Sequence, residues 1–172
     1  VYIKKDTGYV QSPQPMGHPF TVEGAEHIIA MPQVDWELEY NIRHEITHEA
    51  ETEAVTEGNG WKPVNHRKKD GLKMEKSGKS SITWTITPGL AGVYALRFKY
   101  MNVSNKPITA KIQVLASDDR VMREGTVQFS TASEKWRMVS TTTGAYINAG
   151  HYKVIISGDD LNGLWFDALD MQ

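Results

Sequence analysis

The chain has 172 residues, 40% of them hydrophobic, with a net charge of −2 and a pI near 6.3. That length suits one domain with a short appendage, and the charge balance offers no basic field for nucleic acid or an anionic membrane. Without cysteine there is no disulfide framework, thiolate metal site or cysteine nucleophile, and no apolar run reaches the length of a membrane span.

Residues 1–44 differ from the remainder. The opening VYIKKDTGYVQSPQPMGHPF is rich in Pro and Gly and reads as an extended connection. Val1 is not an initiator Met and no signal peptide follows, as expected of a mature or excised fragment. Phe20–Met31 and Val34–Ile42 can each hold a short strand. In the second, Val34, Trp36, Leu38 and Tyr40 alternate with polar residues. Residues 1–44 are expected to be a linker or the tail of a preceding domain, packed through Trp36 and Tyr40 on a module spanning 45–172.

From Glu45 onward strand signals recur. Ile46–Ala54 reads as a strand, Glu57–Asp70 as a loop with a basic cluster, and Gly71–Glu75 as a short strand. The strongest alternation lies in Ser80–Met101. Ile82, Trp84 and Ile86 share one face; after a Pro/Gly-rich break, Tyr94, Leu96, Phe98 and Tyr100 share another. Both stripes, Trp84 included, are expected in the core. Pro107–Ala116, Val121–Phe129, Lys135–Thr142, Tyr152–Ser157 and Leu164–Met171 follow, separated by Ser, Asn, Asp and Gly turns. Regular short strands and no convincing long amphipathic helix after residue 60 predict an all-β fold, a β-sandwich jelly roll of two antiparallel sheets with an N-terminal extended segment.

Two strings suggest metal chemistry. His44-Glu45-Ile46-Thr47-His48 matches H-E-x-x-H, which on a helix holds zinc with the Glu as base. Ala54 stands where one protease class places its third His, and a strand would hold His44 and His48 roughly 13 Å apart. A zinc metalloprotease is therefore the weakest of three readings. In His48-Glu49-Ala50-Glu51, a strand would set Glu49 and Glu51 on one face, where calcium can bridge carboxylates and Asp167 can supply a third; a solvated acidic edge is the other reading.

Several phrases, in order, carry a family resemblance: E-A-E at Glu49–Glu51, A-G-x-Y-x-L-x-F-x-Y at Ala91–Tyr100, Trp136 on a late strand, N-A-G-H-Y at Asn148–Tyr152, and L-W-F-D at Leu164–Asp167. Together they resemble carbohydrate-binding module families 6 and 35 over residues 45–172. Where the family often has Asn just ahead of the closing Asp, this chain has Trp165 and Phe166, with Asn162 slightly earlier. The resemblance implies a jelly roll with a structural calcium on Glu49, Glu51 and Asp167. It implies a non-catalytic module preceded by the catalytic domain of a glycoside hydrolase, in a bacterial protein that is secreted, periplasmic or on the cell surface.

Sugar sites need an aromatic platform for the C–H face of the ring and polar groups for the hydroxyls. Trp61, in EGNGWKPVNH, is the expected open platform on a loop, with Asn65 and His66 as polar contacts. Trp136, Asn162 and Trp165 complete the expected carbohydrate-binding set. The alternative is a structural β-sandwich that braces an attached enzyme without binding sugar.

Overall fold

The computed structural model describes residues 2–5, 8–11, 27–29 and 46–172, with side chains from Thr47 onward. The expectations for Val34–Ile42, Trp36, Tyr40, His44 and Glu45 lie outside these residues. The chain divides into two compact units, Val1–Trp36 and Glu37–Gln172. In the first, β1 (Tyr2–Lys5), β2 (Gly8–Gln11) and β3 (His27–Ile29) form a small antiparallel sheet in the order β2-β1-β3. β3 lies within the short strand expected over Phe20–Met31, and β1 and β2 lie where the sequence reads as an extended connection.

The second unit is a sandwich of two antiparallel sheets. β4 (Ile46–Glu49) leads into a single helical turn, α1 (Ala50–Glu53), and then β5 (Val55–Glu57). The continuous strand expected over Ile46–Ala54 is therefore broken, and Glu51 sits on α1 rather than beside Glu49 on a strand face. β6 (Trp61–His66) and β7 (Lys69–Met74) follow as a hairpin; β6 and the turn fall where the sequence predicts a loop, and β7 covers most of the short strand expected over Gly71–Glu75. β8 (Ser80–Ile86), β9 (Ala95–Asn102), β10 (Ile108–Ala116), β11 (Val121–Phe129), β12 (Ala132–Thr142), β13 (Tyr152–Gly158) and β14 (Leu164–Met171) fall close to the predicted spans.

One sheet runs β11-β10-β13-β8-β5. The other runs β12-β9-β14-β7-β6, with β4 also paired to β14. Along one edge of β14, Trp165 and Phe166 pair with β7, and Ala168–Met171 pair with β4. Asp167 stands at that changeover, at a register shift against β9. Gly71 makes the approach of β7 possible, since a Cβ there would lie 2.4 Å from the Phe166 carbonyl oxygen.

The predicted stripes meet between the sheets. Trp84 is fully buried, with its ring centroid 5.8 Å from Phe98 and 5.5 Å from Phe166. Phe129 closes the group, 5.3 Å from Phe166 and 4.9 Å from Tyr100. Such tilted and edge-to-face rings add to the hydrophobic term of the core.

Candidate functional site

The β6–β7 hairpin positions the site. β6 and β12 are the outermost strands of their sheet, four strand spacings or roughly 19 Å apart along it. Their side chains nevertheless meet. The His66 ring lies 6.4 Å from Trp136 on β12 and 6.0 Å from Trp165 on β14, both edge-on. The hairpin therefore folds across the outer face of the sheet. The Trp136 indole N–H donates to the His66 carbonyl at 3.5 Å, and His66 Nε2 lies 3.5 Å from the Glu134 carbonyl oxygen.

Local sequence explains the arrangement. Phe166 faces the core, so alternation turns Trp165 outward, where it pairs in register with Lys73 and Met101. Met101 is fully buried yet lies outside the core cluster, as expected of a residue covered on the outer face. On β12, Ala132 opposes Asn102 but Arg137 opposes Tyr100, so Ser133–Trp136 leave the ladder as a bulge that re-aims Trp136. Lys73 Nζ sits 5.8 Å over the Trp165 ring. His66, Trp136 and Trp165 are each half-buried.

Trp136 also borders an open cleft of about 710 Å³, with Ser104, Asn105, Ser133, Glu134 and Arg137 among its lining residues. A ring beside hydroxyl, amide and charged groups can stack an apolar face and hydrogen-bond hydroxyls.

Trp61 does not take the expected place. It is the first residue of β6, half-buried against the core, with its ring 6.3 Å from Phe166 and its N–H donating to the Glu57 carbonyl at 3.1 Å. The Gly and Asn residues that suggested a loop end just before it. Asn65 is exposed and donates to Asp70 at 2.6 Å across the hairpin. Asn162 is exposed in the β13–β14 turn, its N–H bonded to Asp160, and makes no hydrogen bond or ring contact to the three clustered rings. Lys73, Ser104 and Arg137 were given no binding role in the sequence; Lys73 lies in the short strand expected over Gly71–Glu75, where alternation alone would have set it on one face with its neighbours two residues away.

The acidic corner sits where β14 changes partner. Asp167 is buried and ion-paired with Lys99. Burial raises the Glu49 pKa above its ordinary value, and the charges of Asp167 and Glu51 raise it further. One carboxylate oxygen of Glu51 is buried without a partner. Among the described residues, no three His, Asp or Glu side chains stand close enough together to hold an ion. His48 lies on strand β4, with Nδ1 2.7 Å from Glu53 Oε2. A zinc helix through His44–His48 would need Ile46–His48 to be helical, and they are extended.

Comparison with solved structures identifies the fold. An isomalto-dextranase of Arthrobacter globiformis T6, complexed with panose, aligns with a TM-score of 0.62 at 18% identity over 74% of this chain. The chain spans only 23% of that enzyme. A family 35 carbohydrate-binding module from Clostridium thermocellum gives 0.60 at 20% identity, covering 74% of this chain and 96% of the module. A family 6 module of Cellvibrio mixtus lichenase 5A, in complex with cellotriose, gives 0.55 at 13% identity, covering 74% and 95%. No protein-family model matches the sequence, and no curated protein matches it. The sandwich has the fold of these family 6 and family 35 modules.

Proposed function

We propose that this chain is a non-catalytic carbohydrate-binding module that holds an attached polysaccharide-degrading enzyme on its substrate. The observation that carries the reading is the convergence of His66, Trp136 and Trp165, from three separate strands, on one sheet face beside an open polar cleft. Trp136 borders both and is the stacking ring. Trp165 and His66 set its edges, and Asn65 and Asn162 stand at the periphery as hydroxyl partners. Trp61 supports the hairpin from the core side. The proposal includes a preceding glycoside hydrolase domain in the same protein and a location outside the bacterial cytoplasm, because a polysaccharide too large to enter a cell is met there. It includes neither nucleic acid nor membrane as partner; among the described residues no helix is long and apolar enough to cross a membrane.

Calcium belongs to the same proposal. Glu49, Glu51 and Asp167 are the residues that would hold it, and they would have to draw together to do so, since they do not form a ready-made cluster. The mutual repulsion at Glu49 and the orphaned Glu51 oxygen are what a divalent cation relieves. The ion would compete with Lys99 for Asp167.

Binding of oligosaccharides by the whole chain, followed by calorimetry or a glycan array, tests the reading. Losing a stacking ring costs on the order of 1–3 kcal/mol, about ten- to a hundredfold in affinity. Trp136→Ala should therefore abolish weak binding with little change in melting temperature. Retained binding in that variant would remove Trp136 from the site. A chain that binds no glycan would leave the structural-brace reading.

A further inference from the structure

We propose that Asn102, itself closed off from any ligand, is the positioning residue of the Trp136 cleft, its one buried amide fixing both walls. The inference rests on the carbohydrate reading of that cleft and names the residue that sets its shape.

The first observation is a polar residue in an apolar row. Leu96, Phe98 and Tyr100 point from β9 into the core, and period-two alternation puts Asn102 next in line. It is fully buried, where a hydrophobic side chain would ordinarily stand. A buried amide is kept when its hydrogen bonds are met, and here two donors and two acceptor sites are all used. Its Nδ2 donates to the Lys106 and Phe129 carbonyls, each at 2.9 Å. Its Oδ1 accepts from the Ser104 N–H at 3.0 Å and from the Ser104 hydroxyl at 2.6 Å.

The second observation is where those partners lie. Phe129 ends β11, and Lys106 stands just ahead of β10, so both acceptors belong to the sheet opposite β9. The amide therefore pins the ends of the two sheets together where the chain crosses from β11 to β12. Residues 103–105 form one wall of the cleft and residues 131–137 the other, and Asn102 lies beneath their junction. Its backbone also pairs with Ala132 on β12 and Leu164 on β14. The β13–β14 turn closes on the same point. Val103 N–H donates to the Gly163 carbonyl at 2.9 Å, and a Cβ on Gly163 would lie 3.1 Å from Ser104. Three connections thus take their places from one side chain.

The chemistry gives a way to switch it. An amide presents donors and acceptor in fixed directions and does not titrate. A carboxylate at position 102 would turn both donors into acceptors facing carbonyl oxygens, and burial would raise its pKa. Protonated, the same group regains one donor. The cleft of Asn102→Asp should therefore loosen as pH rises, which the wild-type amide cannot do.

The test compares the full chain, Asn102→Asp and a core control, Val127→Ala, at pH 5 and pH 8. Val127 is buried on β11 and contributes to the core alone. Amide hydrogen exchange reads the two walls directly. Calorimetry with soluble β-glucan, xylan and pectin reads binding, and the tightest of the three serves as probe. At pH 8, residues 103–106 and 130–136 of Asn102→Asp should exchange about tenfold faster than wild type, and the probe should bind about tenfold more weakly. Both gaps should narrow at pH 5. Val127→Ala should also lower the melting temperature, yet keep wild-type affinity and wild-type exchange in both walls. If Asn102→Asp does not fold at pH 8, Ser104→Ala takes its place, since it removes the hydroxyl bond to Oδ1 and should loosen residues 103–106.

Wild-type exchange in the walls of Asn102→Asp at both pH values, or of Ser104→Ala in its place, would overturn the inference. Equal loosening and equal loss of affinity in Val127→Ala would also overturn it, because Asn102 would then act through stability alone. A wild-type chain that binds none of the three polysaccharides would count against the carbohydrate reading only. The pH-dependent loosening would still uphold Asn102 as the residue that shapes the cleft, and its absence would still overturn that role.

Discussion

Trp84 and Trp61 both touch Phe166, yet they belong to different environments. Trp84 is wholly enclosed, and its indole N–H has no acceptor. Truncating a ring so enclosed costs about 3–5 kcal/mol, so Trp84→Ala should unfold the domain or lower its melting point sharply. Trp61 covers the same cluster from the rim, half-exposed. Trp61→Ala should destabilise measurably, by less than Trp84→Ala, and leave affinity for the glycan nearly unchanged in the folded fraction. Thermal melts with calorimetry on both variants check this, and loss of binding at wild-type stability in Trp61→Ala would return Trp61 to the ligand. Trp84 was legible because Ile82, Trp84 and Ile86 alternate with Thr. Trp61 was not, because the residues before it are turn formers.

Glu75 gives a second prediction at this scale. Hydrogen bonds from Lys62 and Lys73 lower its pKa from the ordinary 4.5 to about 2. A depressed folded pKa adds stability that is present above 4.5 and is lost as pH falls toward 2. Glu75→Gln should flatten the acid limb of a melting-temperature profile across that window, and the effect should shrink in high salt because the group is solvent-facing. An unchanged acid limb would show that the Lys62–Glu75–Lys73 bridge contributes nothing in solution.

The β6 half of the hairpin and its turn were hidden in the sequence, although Gly71–Glu75 already reads as a strand, and the reason is physical. A two-residue β-turn announces itself through Asn-Gly or Asp-Gly, and this one uses Arg-Lys. Pro63, ordinarily a mark against a strand, is tolerated because β6 is an edge strand. The clustering of His66 with Trp136 and Trp165 was equally hidden, since it depends on a hairpin crossing a sheet and a bulge re-aiming one ring. In contrast, β8 to β14 could be read almost to the residue from period-two alternation between turns. Gly71 is the element's own test. Gly71→Ala would press a methyl group against the Phe166 carbonyl, and overpacking of this kind costs about 1–3 kcal/mol. The variant should melt lower and, by shifting β7 from β14, should also weaken glycan binding at Trp165. A melting point at or above wild type would contradict the close approach.

At the scale of the whole molecule, the acidic corner joins the first sandwich strand to the last. The raised pKa of Glu49 carries a definite sign. Its ionisation opposes folding, so without a cation the stability it contributes is full below the unfolded value of 4.5 and is lost as pH rises through its folded pKa. Calcium should reverse that loss at neutral pH. The gain follows the ratio of free ion to dissociation constant, about 2.7 kcal/mol at a hundredfold excess. Melting temperatures in chelator and in calcium measure it, and Lys99→Met, which removes the competing ammonium from Asp167, should widen the gap. Identical temperatures in wild type and variant would end the calcium proposal.

β14 has one more consequence, for synthesis on the ribosome. It pairs with β9, β7 and β4, and it is the last strand of the sandwich to be translated. By the time residue 160 has emerged, every strand of the β11-β10-β13-β8-β5 sheet exists. The opposing sheet is then still two separated pairs, β12 with β9 and β6 with β7, with β4 unmatched. A nascent chain at that stage exposes half of an apolar interior, the kind of surface that chaperones hold and that aggregates when they do not. Residues 164–171 close the gap in a single insertion. Whatever delays residues 164–171 after the preceding strands have formed prolongs that exposure.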